Sequence, residues 1–308
     1  MRAQRGVALV LVLWLATLLM VVASSFIFAS RADTLVMRNS LSMARAGAIA
    51  DAAVSRAVFE TNRTDNAPDM WHRDGVPVEW AFDGGKVRLE IRDESAKIDV
   101  NTASDALIYG LFVSIGIPQD EAARLQDAML DWRDPDSLKR PNGAEESDYK
   151  AAGLAYKPAN APFQAIEELQ LVLGMRPDIF RRVAPLITVH SRQAGVNPAT
   201  ASREVLLAIP GLTPEVIDRF LAMRDDAHAR SAPVPPFPEA GAFAAPASPL
   251  VTSIVARAEL DDGTLFVRDA VVMVKPAARR LVTPLVWRQS LAYEPAPAAA
   301  AAEAGGER

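Results

Sequence analysis

The 308 residues exceed one average domain; half are hydrophobic and 23% are charged, so a foldable chain of one large or two small domains is expected. The formal charge of −5 gives nucleic acid and anionic surfaces no overall attraction. Cysteine is absent, which excludes disulfides, Cys-based zinc sites and thiol nucleophiles; an exported chain of this kind relies on its core or on an oxygen-ligated metal.

Arg2 and Arg5 precede an uncharged run from Gly6 to Ser30 that ends at Arg31. Its apolar part, Val7 to Ala29, would extend about 34 Å as a helix, enough to cross the hydrocarbon core. The leading arginines favour a cytoplasmic N-terminus, although Arg31 weakens the asymmetry. A cleaved secretory signal competes with this reading, but the run is too long and Ala23-Ser24-Ser25 is a poor cleavage site. The segment Gln4-Arg5-Gly6-Val7-Ala8-Leu9 resembles a type IV prepilin leader. That resemblance implies that a membrane peptidase cuts after Gly6 and methylates Val7. Most pilins carry Glu at the fifth mature position; here it is Leu11, which spares the bilayer a costly carboxylate. The departure suggests a subunit that does not meet a neighbour's N-terminal amine.

Helical patterning continues to about Glu60, with Leu41, Ala44, Ala48, Ala52 and Val58 approximating an apolar stripe. No Pro separates this stretch from the anchor, so one long helix is expected. Asn62 to Gly75 reads as a loop. Glu79–Phe82 and Lys86–Asp93 then flank the turn Asp83-Gly84-Gly85; Val87, Leu89 and Ile91 alternate with Arg88, Glu90 and Arg92 as in a half-buried antiparallel strand. Strand character disappears for about 160 residues and returns at Ile254–Leu260, Thr264–Lys275 and Leu285–Arg288. A sheet interrupted by an inserted helical domain follows. Residues 231–249, rich in Pro and Ala, read as a flexible return, and 291–308 as a disordered low-complexity tail.

The insert repeats itself. Ile115-Gly116-Ile117-Pro118-Gln119-Asp120, Leu173-Gly174-Met175-Arg176-Pro177-Asp178 and Pro210-Gly211-Leu212-Thr213-Pro214-Glu215 each place a Gly, an apolar residue, a Pro and an acid in one order. Gly stops one helix and the Pro-acid pair starts the next, which gives a helix-hairpin-helix. Val100-Asn101-Thr102-Ala103-Ser104 and Val196-Asn197-Pro198-Ala199-Thr200 match upstream. Such hairpins hold phosphates in DNA-binding proteins, yet Glu94 to Arg230 contains 20 acidic against 15 basic residues. A structural or protein-binding role is favoured over a membrane-anchored DNA receptor.

Between the hairpins lies Asp131-Trp132-Arg133-Asp134-Pro135-Asp136, then Pro141-Asn142-Gly143-Ala144-Glu145-Glu146-Ser147-Asp148-Tyr149. Oxygen ligands at alternating positions with a turn-forming Gly suit Ca²⁺, though the spacing is not that of an EF-hand. Asp134 and Asp136 with Glu145, Glu146 or Asp148 could hold the ion. Equally, this is a solvated loop in which Asp131 and Asp134 pair with Arg133 and Lys139; the residues alone leave both open. His72, His190 and His228 sit in unmatched contexts, and no nucleophile elbow, phosphate loop or dinucleotide fingerprint is present, so no enzyme is expected.

Together with the leader junction and Leu11, the stretches Lys97-Ile98-Asp99-Val100-Asn101-Thr102-Ala103, Leu130 to Asp136, Pro141 to Glu145 and Gly195 to Ala201 resemble the type II secretion system protein K family, the large minor pseudopilins. The resemblance implies an α+β fold: a pilin-like long helix on an antiparallel sheet, with a large all-α helix-hairpin-helix (SAM-like) domain inserted between strands. It implies a leader at 1–6, a transmembrane helix at 7–30, the pilin-like helix and first strands at 31–93, the insert at 94–230, the linker at 231–249 and remaining strands at 250–290. It further implies a bacterial inner-membrane subunit with a periplasmic body, processed by the prepilin peptidase. On assembly the subunit is extracted into the pseudopilus, beside minor pseudopilins I and J, with H and the major pseudopilin G. The family's calcium carries over to Asp134, Asp136, Glu145, Glu146 and Asp148. No nucleic acid or small-molecule substrate is implied.

Overall fold

One helix, α1 (Arg5–Thr61), runs unbroken from the apolar segment into the folded body, as the lack of Pro and of a terminating Gly predicts. The computed structural model describes residues 5–63, 70–230, 232–248, 250–275 and 282–290; leader residues 1–4 and the tail 291–308 lie outside them. Among the described residues α1 alone is long and apolar enough to cross a membrane, with a mean hydropathy of 2.5 in its most apolar window. Beyond Arg5 and α1, a hairpin of β1 (Val78–Phe82) and β2 (Gly85–Asp93) leads into the helical block. That block holds β3 (Ile98–Asp99), α2 (Asp105–Ser114), α3 (Gln119–Arg133), α4 (Glu146–Ala151), α5 (Pro177–Val183), β4 (Ile187–Thr188), α6 (Arg203–Leu207) and α7 (Pro214–Ala229). The chain returns as β5 (Val251–Leu260), β6 (Leu265–Val274) and β7 (Val282–Ser290). The sheet order is β1-β2-β5-β6-β7, antiparallel throughout.

Register explains where the insert can sit. β2 and β5 pair from Gly85–Leu260 to Asp93–Thr252, so the chain leaves the sheet and re-enters it at facing positions on neighbouring strands. A domain inserted between two adjacent points leaves the host sheet intact. Alternation then buries Val87, Leu89 and Ile91 of β2 with Ile254, Ala256 and Ala258 of β5 beneath α1.

The helix face differs from the one the Ala pattern suggested. Ala46, Ile49, Ala50, Ala53, Val54 and Ala57 meet the sheet, whereas Leu41, Ala44 and Ala48 are exposed and Ala52 is only half-buried. Alanines lie on several sides of this helix, so their spacing does not pick out one face. Contact does: a Cβ on Gly47 would stand 3.3 Å from the Phe266 ring, which seats this side of the helix on β6.

The helical block has a core of its own, built on Leu107, Ile108, Leu111, Phe112, Leu125, Met129, Ile217 and Phe220. Each of its three hairpins turns on a glycine of positive φ, at Gly116 (79°), Gly174 (88°) and Gly211 (84°). Ser104 caps α2 and Ser202 caps α6, each accepting from the backbone amide three residues on. Arg133 donates to the carbonyls of Val100 and Ala103, and Arg224 to those of Pro198 and Ala201, so an arginine of the second helix ties down the turn in both units. The units meet where Gly110 of α2 lies on α6: a Cβ there would fall 1.9 Å from the Ala208 carbonyl oxygen. The parallel pair β3–β4 escaped the sequence reading because two residues are too few to show alternation.

The return segment, expected to be flexible, is laid down as a strap. Phe237 is buried and stacks on Phe220 with centroids 4.1 Å apart, and Ala240 joins the same core. Val196 exchanges backbone hydrogen bonds with Phe243 and Ala245, both 2.8 Å. The prolines forbid regular structure, but the two phenylalanines supply apolar area that anchors it.

A polar knot fixes insert to sheet. Asp93 accepts from the amides of Ser95 and Ser248, and the Asn197 amide donates 2.7 Å to the Ser95 carbonyl. Glu94, only 2% exposed, accepts from Thr188 and pairs with Lys97 at 2.5 Å, while Lys97 also reaches Ser253 at 3.4 Å. Burial pushes the Glu94 carboxyl up, but Lys97 with the Thr188 and Ser253 hydroxyls outweighs it, and the net direction is down. A carboxyl lowered on folding adds stability that is present above its unfolded value and lost as pH falls through its folded one. Replacing Lys97 by Met strands this buried carboxylate, and we expect about 3 kcal/mol of lost stability in urea unfolding of residues 31–308 at pH 7. A loss under about 0.5 kcal/mol would show that the pair does not fasten the two bodies.

Candidate functional site: the acidic loop

α3 ends at Arg133 with Asp134 as its C-cap, and the chain wanders to Glu145, where α4 begins. Beneath this loop lies an aromatic bed. Trp132 stacks on Phe163 (6.2 Å) and tilts against Tyr149 (6.0 Å), and the Tyr149 hydroxyl accepts from the Leu173 amide at 2.9 Å. Burial lifts that phenol to about 12. The loop carboxylates therefore rest on a surface that solvates charge poorly.

The structure divides the five predicted ligands. Asp134, Asp136 and Glu145 act on one another: burial first, then mutual repulsion, pushes Asp134 and Glu145 above the ordinary carboxylate range. Asp134 Oδ1 and Glu145 Oε1 are buried and accept no hydrogen bond. Asp136 keeps one oxygen on the Leu138 amide at 2.7 Å. Glu146 and Asp148 are taken elsewhere, Glu146 by Lys157 at 3.0 Å and Asp148 by Lys139 at 2.6 Å, and Asp148 also accepts from the Glu145 amide as a helix cap. The Lys139 hydrogen bond holds Asp148 low. Of the pairings expected for a solvated loop, Arg133 turns away to backbone carbonyls and Lys139 goes to Asp148.

The sequence reading missed Asp131 as a member of the group. It is fully buried, accepts weakly from the Arg140 amide at 3.3 Å, and its carboxyl is pushed up by burial despite that bond. Its spacing of three from Asp134 on α3 was the available signal. Gly143 is required there, since a Cβ would lie 1.9 Å from Asp131 Oδ2. The Arg140 and Ala144 backbone, and then the Arg140 guanidinium 3.6 Å away, offset this charge only in part. Among the described residues no three Asp, Glu or His side chains stand as close as a bound ion would hold them. The donor set nevertheless fits a hard cation: all-oxygen, net anionic, with two buried carboxylate oxygens lacking donors.

Cations beside the hairpins are engaged by neighbouring carboxylates. Arg176 pairs with Asp178 and Glu121, and Arg203 with Asp218 at 2.6 Å, so these two cations already have carboxylate partners. A cleft of about 1180 Å³ lies elsewhere, between sheet and insert, lined by Glu167, Arg181, Arg182, His190, Asp269 and Arg288. His190 is half-buried there and lowered by that burial. Its backbone amide donates to the Thr188 hydroxyl at 3.0 Å.

The family model for type II secretion system (T2SS), protein K matches residues 88–193, from within β2 through the acidic loop to five residues past β4. Type II secretion system protein K of Pseudomonas aeruginosa is 28% identical over 243 residues, covering 70% of this chain and 72% of the relative. The protein of the same name from Klebsiella pneumoniae is 28% identical over 232 residues, covering 67% and 69%. Over residues 88–193, and over about 70% of its length, this chain is similar to type II secretion system protein K. The fold agrees: the crystal structure of the GspK-GspI-GspJ complex from enterotoxigenic Escherichia coli matches with a TM-score of 0.57 at 14% identity, over 85% of this chain and 99% of that one. The long helix, antiparallel sheet and added helices expected of an α+β pilin-like protein are thereby shown.

Raised carboxyls have a definite consequence for stability. In the ion-free protein Asp131, Asp134 and Glu145 bind protons more tightly folded than unfolded, so stability falls as pH rises through and above the ordinary carboxylate range. In chelator at pH 7, Glu145→Gln should therefore be more stable than the parent by about 1 kcal/mol, and the advantage should vanish towards pH 4. A variant less stable at pH 7 would show that the repulsion is not felt.

Proposed function

We propose that this chain is the minor pseudopilin at the tip of the type II secretion pseudopilus, where it joins other minor pseudopilins to initiate and cap the fibre that drives export of folded periplasmic proteins. The observation that carries the reading is α1: one unbroken helix whose first part is exposed and apolar and whose second part underlies a sheet interrupted by a bulky domain. A helix of that form is half membrane anchor and half fibre core, and the inserted domain obstructs another subunit from stacking above it. Leu11 supports the placement, because a subunit at the end of the fibre has no neighbour's amine to meet. The partners are minor pseudopilins I and J, in keeping with the complex in which the solved relative was crystallised, with H and the major pseudopilin G further down.

Before assembly the chain is a single-pass inner-membrane protein, N-terminus cytoplasmic and body periplasmic, as Arg2 and Arg5 favour. The prepilin peptidase cuts after Gly6 and methylates Val7. The role is mechanical, and no catalytic step is assigned.

The acidic loop binds Ca²⁺ structurally. Asp134, Asp136 and Glu145 supply the core of the site, with Asp131 beside them; Glu146 and Asp148 contribute where Lys157 and Lys139 release them. What supports this is the pair of buried carboxylate oxygens without donors on an apolar bed.

Saturating Ca²⁺ should raise the melting temperature of residues 31–308 by about 5 °C over chelator, and Glu145→Gln should remove most of that gain. Identical melting in both buffers would dismiss the ion. Mass spectrometry of the mature protein should find N-methylated Val7; an intact leader, or a terminus near Ser25, would dismiss the pseudopilin reading.

A further inference from the structure

Between the membrane span and the sheet, α1 has a stem that no other described residue covers. Leu35, Val36, Met37 and Leu41 are 60–75% exposed, although the helix has already passed Arg31 and left the hydrocarbon. Arg31, Arg38 and Arg45 recur every seven residues, so they form one stripe that drifts only about 20° per step and climbs about 10 Å each time. The topmost of them shows which way the stripe faces. Arg45 donates to the Asp83 carbonyl at 2.5 Å in the β1–β2 turn, and neighbouring Ser42 donates 2.7 Å to Asp262 in the β5–β6 turn. Arg38 and Arg31 thus lie on the side of the helix beneath the overhanging sheet, and among the described residues neither has an ion-pair or hydrogen-bond partner.

We propose that this stripe is the docking face for the N-terminal helix of a second pilin-like subunit that carries carboxylates seven residues apart and packs beneath the sheet. The inference rests on the reading that the chain assembles into a fibre, and it names the chemistry of the contact. Heptad spacing of charge beside exposed aliphatic side chains is the form in which one helix selects another's register. Anionic lipid is the other candidate for paired arginines near a membrane. Lipid attraction, however, decays within a Debye length of roughly 8–10 Å, so it is already weak at Arg38, about 10 Å above Arg31, and it leaves Leu41, higher still, uncovered.

The test places a photo-crosslinking amino acid at Leu35 of the full chain in cells expressing the complete secretion system. The expected result is an adduct with the helix of another pilin-like subunit, reduced about fivefold or more by R31E/R38E. Reversing the partner's carboxylates to arginine should restore it. An adduct unaffected by R31E/R38E, or none at all, overturns the proposal. So does an adduct with phospholipid alone, paired with R31E/R38E-sensitive binding of residues 31–308 to vesicles containing phosphatidylglycerol. A charge-sensitive adduct with a helical subunit other than I or J upholds the stripe and counts instead against the tip complex.

Discussion

Everything distal in this molecule hangs on the pairing of β2 with β5. Asp93 and Thr252 face one another across that pair, so the chain can depart for more than half its length and resume the ladder one strand over. Ordinary antiparallel pairing then holds the exit and the return a strand's width apart. The knot above it converts this adjacency into orientation. Asp93, Ser95 and Ser248 bind the two crossing chains to each other, and Glu94 reaches Thr188 in the insert while sharing Lys97 with Ser253 in the sheet. Buried and fully partnered, such a network specifies geometry in a way that exposed contacts do not.

The contrast with the far side of the cleft makes the point. There Arg288 of β7 spans from Asp269, at 2.8 Å, to Glu167 of the insert, and both bridging side chains are roughly half exposed. An exposed pair of this sort contributes about 0.2–1 kcal/mol, too little to hold a domain. Among the described residues the two buried cores are separate. The insert is therefore oriented from its root, and a cleft remains where the bodies face each other without interdigitating.

How much of this was legible depended on whether a feature is periodic or relational. The anchor, the β1–β2 hairpin and the three Gly-Pro-acid hairpins show in the sequence because each is dictated by neighbours within a few positions. Even there, an alanine-rich helix misled: Ala44 and Ala48 look like a core stripe, and only the Phe266 ring over Gly47 reveals the buried side. The strap was illegible for the opposite reason. Its prolines announce irregular chain, whereas its order comes from Phe237 meeting Phe220, seventeen positions away. At the acidic loop the sequence supplied the right residue types. It could not say that Lys139 and Lys157 would claim Asp148 and Glu146, or that Asp131 would turn inward under Gly143.

That division of the acidic loop bears on why the carboxylates persist at all. Asp131, Asp134 and Glu145 carry charge on an aromatic bed, and each is driven towards its neutral form despite the guanidinium groups of Arg140 and Arg133. Left alone, this arrangement opposes folding at neutral pH. A stretch selected only for a stable turn could exchange any of them for Asn or Gln and lose nothing. The lysines at Glu146 and Asp148 lie on the loop's outer side, where they close it without reaching the inner charges. The loop is thus arranged as an anionic chamber whose rim is satisfied and whose interior is not, and the cost falls on the ion-free state alone if a cation is the missing partner.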